Sequence, residues 1–338
     1  MQTSDRVELL SKLAELTPET FEATALSVFR YQAAYNPLYA RFLDLLGRDA
    51  SGIGQLSEIP FLPITLFKRY AVQTGDWAPQ QVFTSSGTTG QATSRHLVRD
   101  PQMYLDNTLR GFTPFYGDPA DWCVLALLPS YLERSGSSLV AMADFFIRRS
   151  RYPQSGFFLN DWSKLRDTLQ GCRAAGIPTL LLGVSFGLLD FAEAHPMDLH
   201  GVTIMETGGM KGRRRELTRA ELHRTLGAAF GVPGIHSEYG MTELFSQAYS
   251  QPAFSIGENV LFEPAPTLRM IATEINDPFC PVATGRTGVL NAIDLANLDT
   301  CSFIATEDLG KVHASGRFEV LGRLDAAEMR GCNLLLES

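Results

Sequence analysis

The sequence predicts an α/β protein, with parallel or mixed sheets flanked by helices and followed by a small β subdomain. Three observations carry this expectation. Up to about residue 240, short β-compatible runs alternate with segments of helical spacing, the rhythm of βαβ units. After about residue 258 the texture changes to short β runs punctuated by Pro and Gly. The 338 residues, 45% of them apolar, are enough to bury one large core or two smaller ones.

Residues 1–60 read as amphipathic helices, with "ASGIGQLSEIPFLP" (50–63) as a Pro/Gly-punctuated connector. An α/β core is expected over 61–257. There "QVFT" is a strand, "DWCVLALLPS" (121–130) is β-compatible and "SSLVAMADFFIRRS" (137–150) has helical spacing. "WSKLRDTLQGCRAAG" (162–176) is a further helix, closing on a glycine before the strand-like "TLLLG" (179–183). "VTIMETGG" (202–209) and "GIHSEYG" (234–240) are strand-like and flank the charged helix "TRAELHRTLGAAFG" (218–231). The runs "PTLRMIA", "GVLNAIDL", "CSFIAT" and "KVHASGRFEVLGR" make a small β subdomain over 258–322, and 323–338 forms a hinge-like tail.

Composition removes several functions. The longest apolar runs, "WCVLALLP" (122–129) and "IPTLLLGVSFGLLDF" (177–191), fall short of a membrane span, and the N-terminus has no signal-peptide pattern. A cytoplasmic location without a membrane span is expected. Five dispersed cysteines, Cys123, Cys172, Cys280, Cys301 and Cys332, form no CxxC pair, so neither disulfides nor structural zinc is expected. The net charge of −8 argues against nucleic acid as a partner, and "KGRRR" (211–215) reads as a solvated helix start.

The stretch "TSSGTTGQATSR" (84–95) places seven hydroxyls and two glycines directly after a strand. Glycines let the backbone turn its N–H groups toward an anion and hydroxyls add donors, so phosphate is the natural ligand. The P-loop of ATPases needs GxxxxGK[ST]; here Gly87 and Gly90 are three apart and no lysine follows, which rejects that motif. "GVSFG" (183–187) is a competing signal. It fits GxSxG between strand-like and helix-like runs, the context of a nucleophile elbow, and would make Ser185 the nucleophile of a serine acyl hydrolase with His236 or His313 as base. That reading leaves the hydroxyl-rich loop unexplained, and a small-residue turn packed on the sheet accounts for the pattern as well.

Further on stand "SEYGMTEL" (237–244) and "SFIATEDLGKVHASGRFEVLGRLDAAEMRGC" (302–332). With the loop, in this order, they resemble the adenylate-forming enzymes, the superfamily of acyl-CoA synthetases, luciferase-like ligases and peptide-synthetase adenylation domains. "ETGGMKGR" and "GRLDAAEMRGCNLL" are most similar to the short acyl-protein synthetases of the LuxE type. The resemblance implies the N-terminal-domain fold of that superfamily, with ATP and Mg²⁺ as cofactors. It implies phosphate contacts from Thr84, Ser85, Ser86, Thr88, Thr89 and the N–H groups of Gly87 and Gly90. Glu243 would serve the metal, as a hard oxygen ligand, and Thr242 the α-phosphate. Tyr239, with Glu238, Gly240, Met241 and the Gly208–Gly209 turn, would receive the base; Asp308 would accept the ribose hydroxyls, with Arg323 near the sugar.

The chain departs from the superfamily in two places. Thr93 stands where most members carry a lysine after the loop, with Arg95 the nearest cation. The chain also stops at Ser338, so the C-terminal domain with its catalytic lysine and coenzyme A face is expected to be truncated, and Met329 replaces the usual hinge lysine. In the LuxE-type branch a cysteine placed like Cys332 accepts the acyl group, and thiolate attack on an acyl-adenylate gives a thioester without coenzyme A. The expectation is an ATP-dependent ligase that activates a carboxylic acid, of the fatty class, and passes it to Cys332 for delivery to an acyl reductase or carrier protein. The alternatives are the hydrolase and a non-catalytic nucleotide-binding subunit of a reductase or synthase complex.

Overall fold

A computed structural model of the chain describes residues 2–85, 93–128, 136–208, 217–255 and 259–324. It opens with helices α1 (Gln2–Ala14), α2 (Phe21–Tyr35) and α3 (Pro37–Leu45), then strands β1 (Leu62–Pro63), β2 (Gln81–Thr84) and β3 (Arg95–Val98). The alternating section follows: α4 (Pro101–Tyr116), β4 (Cys123–Leu127), α5 (Ser138–Arg149), β5 (Gly156–Phe157), α6 (Trp162–Ala174), β6 (Thr179–Val184), α7 (Ser185–Ala194), β7 (Thr203–Thr207), α8 (Arg219–Phe230) and β8 (His236–Tyr239). Strands β9 (Ala248–Ser250), β10 (Glu263–Pro264), β11 (Leu268–Thr273), β12 (Thr287–Asp294), β13 (Phe303–Val312) and β14 (Phe318–Arg323) complete it.

The chain divides into two compact units that interleave along the sequence. One comprises 1–104, 242–246 and 264–338; the other comprises 105–241 and 247–263.

The first unit is built on a five-stranded sheet ordered β1-β13-β12-β11, with β14 also on β13. All its pairings are antiparallel except β1 on β13. The N-terminal helices share its core. Phe29 of α2 and Tyr39 of α3 lie 5.8 and 6.3 Å from the ring of Phe303 on β13, and the buried Gln32 amide donates to the carbonyls of Asn297 and Leu298. β2 and β3 form a separate hairpin with Thr84 opposite Arg95.

The second unit is a seven-stranded sheet ordered β10-β9-β8-β7-β6-β4-β5. Its strands from β5 to β8 are parallel and β9 turns back on β8. Parallel strands covered on both faces read as continuous apolar runs, and every residue of β4 and β6 is buried. The helices between them are cut by ordinary signals. Thr218 and Glu221 form a capping box at the start of α8, and Gly231 closes it with φ +59°. In both units, no described helix is long and apolar enough to cross a membrane.

Candidate functional site

Most of the described candidate residues sit where a strand ends. In the first unit, the hydroxyl-rich loop springs from the β2–β3 hairpin. Its mouth is closed by Ser85 N–H donating to the Ser94 carbonyl at 3.1 Å and by Ser94 N–H donating to Ser85 Oγ at 2.9 Å. Ser86, Gly87, Thr88, Thr89 and Gly90 lie outside the described residues. Thr84, Ser85, Thr93 and Arg95 lie within them, at the foot of the loop.

Ser94 also bears on Glu243, because its hydroxyl favours the charged form of the Glu243 carboxyl. Glu243 is only 6% exposed. Burial pushes its carboxyl above the ordinary value, and the Ser94 hydroxyl, its own backbone and the positive charges of Arg323 and Lys68 act against that rise. A buried carboxylate whose charge is under-compensated by protein suits a hard divalent cation.

The segment that carries Thr242 and Glu243 is held by residues the sequence did not flag. Asp294, at the end of β12, accepts from Phe245 N–H and Ser246 N–H at 2.7 and 2.9 Å and from the Ser246 hydroxyl at 2.5 Å. Asn297 donates its amide to the Glu243 carbonyl at 2.8 Å. His96, two residues after Ser94 on β3, places Nδ1 2.8 Å from the Thr242 carbonyl. Nothing local in the sequence marks these positions, since each acts on main chain at least 48 residues away.

The same unit brings Asp308 and Arg323 together. They face each other in the antiparallel register of β13 and β14, with Arg323 Nε 3.6 Å from Asp308 Oδ1 and its Nη2 3.4 Å from Glu307. Asp308 is nearly buried, whereas the Arg323 side chain is 63% exposed.

The second unit carries the remaining positions at the C-terminal ends of its parallel strands, where open α/β sheets place their ligands. Thr207 and Glu238 are register partners on β7 and β8, and the Thr207 hydroxyl donates to the Glu238 carboxyl. Burial, reinforced by the nearby Glu206 charge, raises Glu238 to about 7 despite that bond. Gly208 takes φ +69°, a conformation that favours glycine. Gly240 is needed for space instead: a Cβ there would meet Glu238 Oε1 at 2.6 Å. The Tyr239 ring is 7% exposed and lies 5.8 Å from that of Phe262. Met241 is the last residue of this unit's stretch, so the YGMTE motif passes from one unit to the other between Met241 and Thr242. Gly209 and Cys332 are outside the described residues.

The GxSxG segment does have the strand–turn–helix context, with Ser185 opening α7 directly after β6. Its hydroxyl, however, donates to Glu206 at 3.0 Å and to the Gly208 carbonyl at 3.1 Å. Glu206 also holds Arg219 Nε at 2.9 Å. Burial alone would raise the Glu206 carboxyl, but Arg219, His223 and Ser237 outweigh it and hold it at about 2. Neither candidate histidine bonds Ser185: His236 lies 3.1 Å from the Tyr116 hydroxyl and His313 2.7 Å from Glu319. Gly183 serves packing, since a Cβ there would meet Leu188 at 2.7 Å.

No family model matches the chain, and no curated protein matches it. Solved structures do. A 2-hydroxyisobutyryl-CoA ligase in the postadenylation state, in complex with 2-HIB-AMP, superposes with a TM-score of 0.64 at 14% identity, over 90% of this chain and 68% of that one. ATP-bound MatB from Rhodopseudomonas palustris gives 0.53 at 19% identity, over 73% of this chain and 49% of that one. An ATP-bound RpMatB-BxBclM chimera gives 0.54 at 18% identity, over 74% and 49%. The chain thus spans about half the length of the MatB structures it matches. At these identities the likeness is one of fold: the mixed α/β architecture expected from the sequence is shared with these structures.

Proposed function

We propose that this protein activates a carboxylic acid with ATP and passes the acyl group to a thiol, in the manner of the LuxE-type acyl-protein synthetases. The carrying observation is that the hairpin bearing the hydroxyl-rich loop also holds the segment of the buried Glu243 within one unit, through His96 on the Thr242 carbonyl. Fold similarity to ligases solved with ATP or an acyl-adenylate supports the same reading.

In the first step a carboxylate oxygen attacks the α-phosphorus of ATP and the bond to pyrophosphate breaks, giving acyl-AMP. Negative charge gathers on the phosphates. The loop hydroxyls and N–H groups of residues 84–90 would hold them, with Thr242 at the α-phosphate. Lys68 and Arg323, whose charges act on Glu243, would join Arg95 as cations where the loop lysine is absent. Mg²⁺ would be held by Glu243 and would offset phosphate charge when bound. Asp308 and Arg323 would receive the ribose, and Glu238 to Met241, with Gly208 and Gly209, the base. In the second step a thiolate attacks the acyl carbon and AMP leaves; Cys332 is the proposed acceptor.

The apolar, buried β4 and β6 and the α5 segment are candidate walls for a fatty chain, and an acyl reductase or a carrier protein is the proposed recipient. The contacts of Ser185 speak against the hydrolase, because they supply carboxylate and carbonyl acceptors rather than an imidazole base.

The test is intact mass after incubation with ATP, Mg²⁺ and carboxylic acids of graded length, followed by peptide mapping. The expected result is a hydroxylamine-sensitive gain of one acyl group at Cys332. AMP and pyrophosphate without an adduct would move the acceptor to another molecule. ATP binding without pyrophosphate release would leave the non-catalytic subunit. Glu243→Gln should abolish ATP–pyrophosphate exchange in Mg²⁺, and unchanged exchange in that variant would overturn the assignment of Glu243.

A further inference from the structure

Residues 242–246 belong to no helix or strand, yet Glu243, Leu244, Phe245 and Ser246 are all buried. Buried main chain outside regular structure has no ladder to satisfy it, so its polar groups must find side chains. Asp294 and Asn297 supply those for Glu243, Phe245 and Ser246. Thr242, the first residue of the segment, is served instead from β3, by His96.

We propose that His96 is a positioning residue: a neutral imidazole, with its proton on Nδ1, that fixes the Thr242–Glu243 peptide and so aims both side chains of the proposed ATP site. This role rests on the acid activation proposed above.

The tautomer follows from the two partners. A carbonyl can only accept, so the Nδ1 facing the Thr242 carbonyl at 2.8 Å must carry the proton. Nε2, 3.1 Å from Thr300 Oγ1, is then the acceptor of that hydroxyl's proton. The ring is fully buried, 4.8 Å from Phe245 and 5.8 Å from Phe67, and burial lowers its ordinary value to about 4. Both nitrogens are engaged and the ring stays neutral, so it has no proton to exchange with a substrate.

Its leverage comes from strand geometry. Ser94 stands immediately before β3 and His96 is the second residue of that strand, both at the end of the hairpin where Ser85 and Ser94 exchange hydrogen bonds. The hydroxyl of Ser94 favours the charged form of Glu243, and His96 bonds the carbonyl of the residue before it. The hairpin therefore sets the main-chain plane of the motif from the same end that opens into the hydroxyl-rich loop. A displacement of a reacting group by roughly 1 Å can cost on the order of a hundredfold in rate, which is the scale of effect available to such a brace.

The experiment compares His96→Asn with His96→Gln. The asparagine amide can stand where Nδ1–H stands and restore the donor to Thr242; the longer glutamine amide projects toward the Nε2 side and cannot. Both lose the ring equally, so a merely structural role would penalise them alike. ATP–pyrophosphate exchange is measured in wild type and variants, with KM for ATP and for the acid separated from kcat, and thermal melting recorded alongside. The expected result is a fall in kcat of at least about tenfold in His96→Gln, largely recovered in His96→Asn, with KM for the acid unchanged. Nitrogen NMR of the wild type, which needs no variant to fold, should find His96 as the Nδ1–H tautomer. Equal losses in the two variants, or an Nε2–H tautomer, would overturn the role of His96 while wild-type exchange kept the activation reading intact. Absence of exchange in the wild type would remove both.

Discussion

Glu206 and Glu238 lie on neighbouring strands and are both almost fully buried, yet they are driven to opposite ends of the titration range. Arg219 and His223 hold Glu206 at about 2, whereas Glu238 has only the Thr207 hydroxyl against burial and rises to about 7. Between its ordinary value and 7 the folded Glu238 binds a proton that the unfolded chain has released. Its contribution is therefore most favourable in acid and is lost as pH rises toward and through 7. Glu238→Gln should flatten the fall in stability between pH 5 and 8, by an amount on the order of 3 kcal/mol, in denaturant titrations at several pH values. An identical pH slope in variant and wild type would show that Glu238 is already ionised in the fold. Tyr239, Glu243 and Asp308 were singled out in the sequence by the resemblance of the motifs around them to those of adenylate-forming enzymes. Ser94 and His96 were not. Their importance lies in which distant atoms they face, and neither a serine at a strand edge nor a lone histidine carries that in its local pattern.

Asp294 shows how an element can depend on one side chain. It closes β12 and takes the N–H groups of Phe245, Ser246 and Ala296, so Asp294→Ala would leave three buried N–H donors without an acceptor. The expected cost is roughly 2–4 kcal/mol, read from the denaturant midpoint with an unchanged slope. A loss under about 0.5 kcal/mol, the range of ordinary surface changes, would mean that water satisfies those donors. The parallel strands β4 and β6 were legible because every residue of each is buried and apolar or small, whereas β7 and β8, "TIMET" and "HSEY", carry the buried Glu206 and Glu238. Helix α4 was not read from the sequence, and its composition explains why. Gly111 and Pro114 fall inside it, and both count against a helix when weighed locally. Strand β3, "RHLV", was hidden by its polar start, though its partner "QVFT" was plain.

The partition into two units is the least legible feature, because hydrophobic periodicity reports only on near neighbours. A linear reading separates the N-terminal helices from the late β strands, whereas Gln32, Phe29 and Tyr39 bind them into one core. Gln32→Ala should thus speed amide exchange in α2 and in residues 295–302 together, by at least about tenfold at 25 °C, the equivalent of 1.4 kcal/mol. Faster exchange in α2 alone would separate the two. The interleaving also has a consequence in time. Ribosomal synthesis delivers residues 94–96 early and Asp294 and Asn297 some two hundred residues later, and the Thr242–Ser246 segment needs both sets of anchors. A nascent chain can assemble most of the parallel sheet well before then, yet its motif loop stays untethered on one side until translation has passed Asn297. A site of the kind proposed should therefore become competent abruptly, once residues 294–297 have emerged, rather than accumulate as the polypeptide grows.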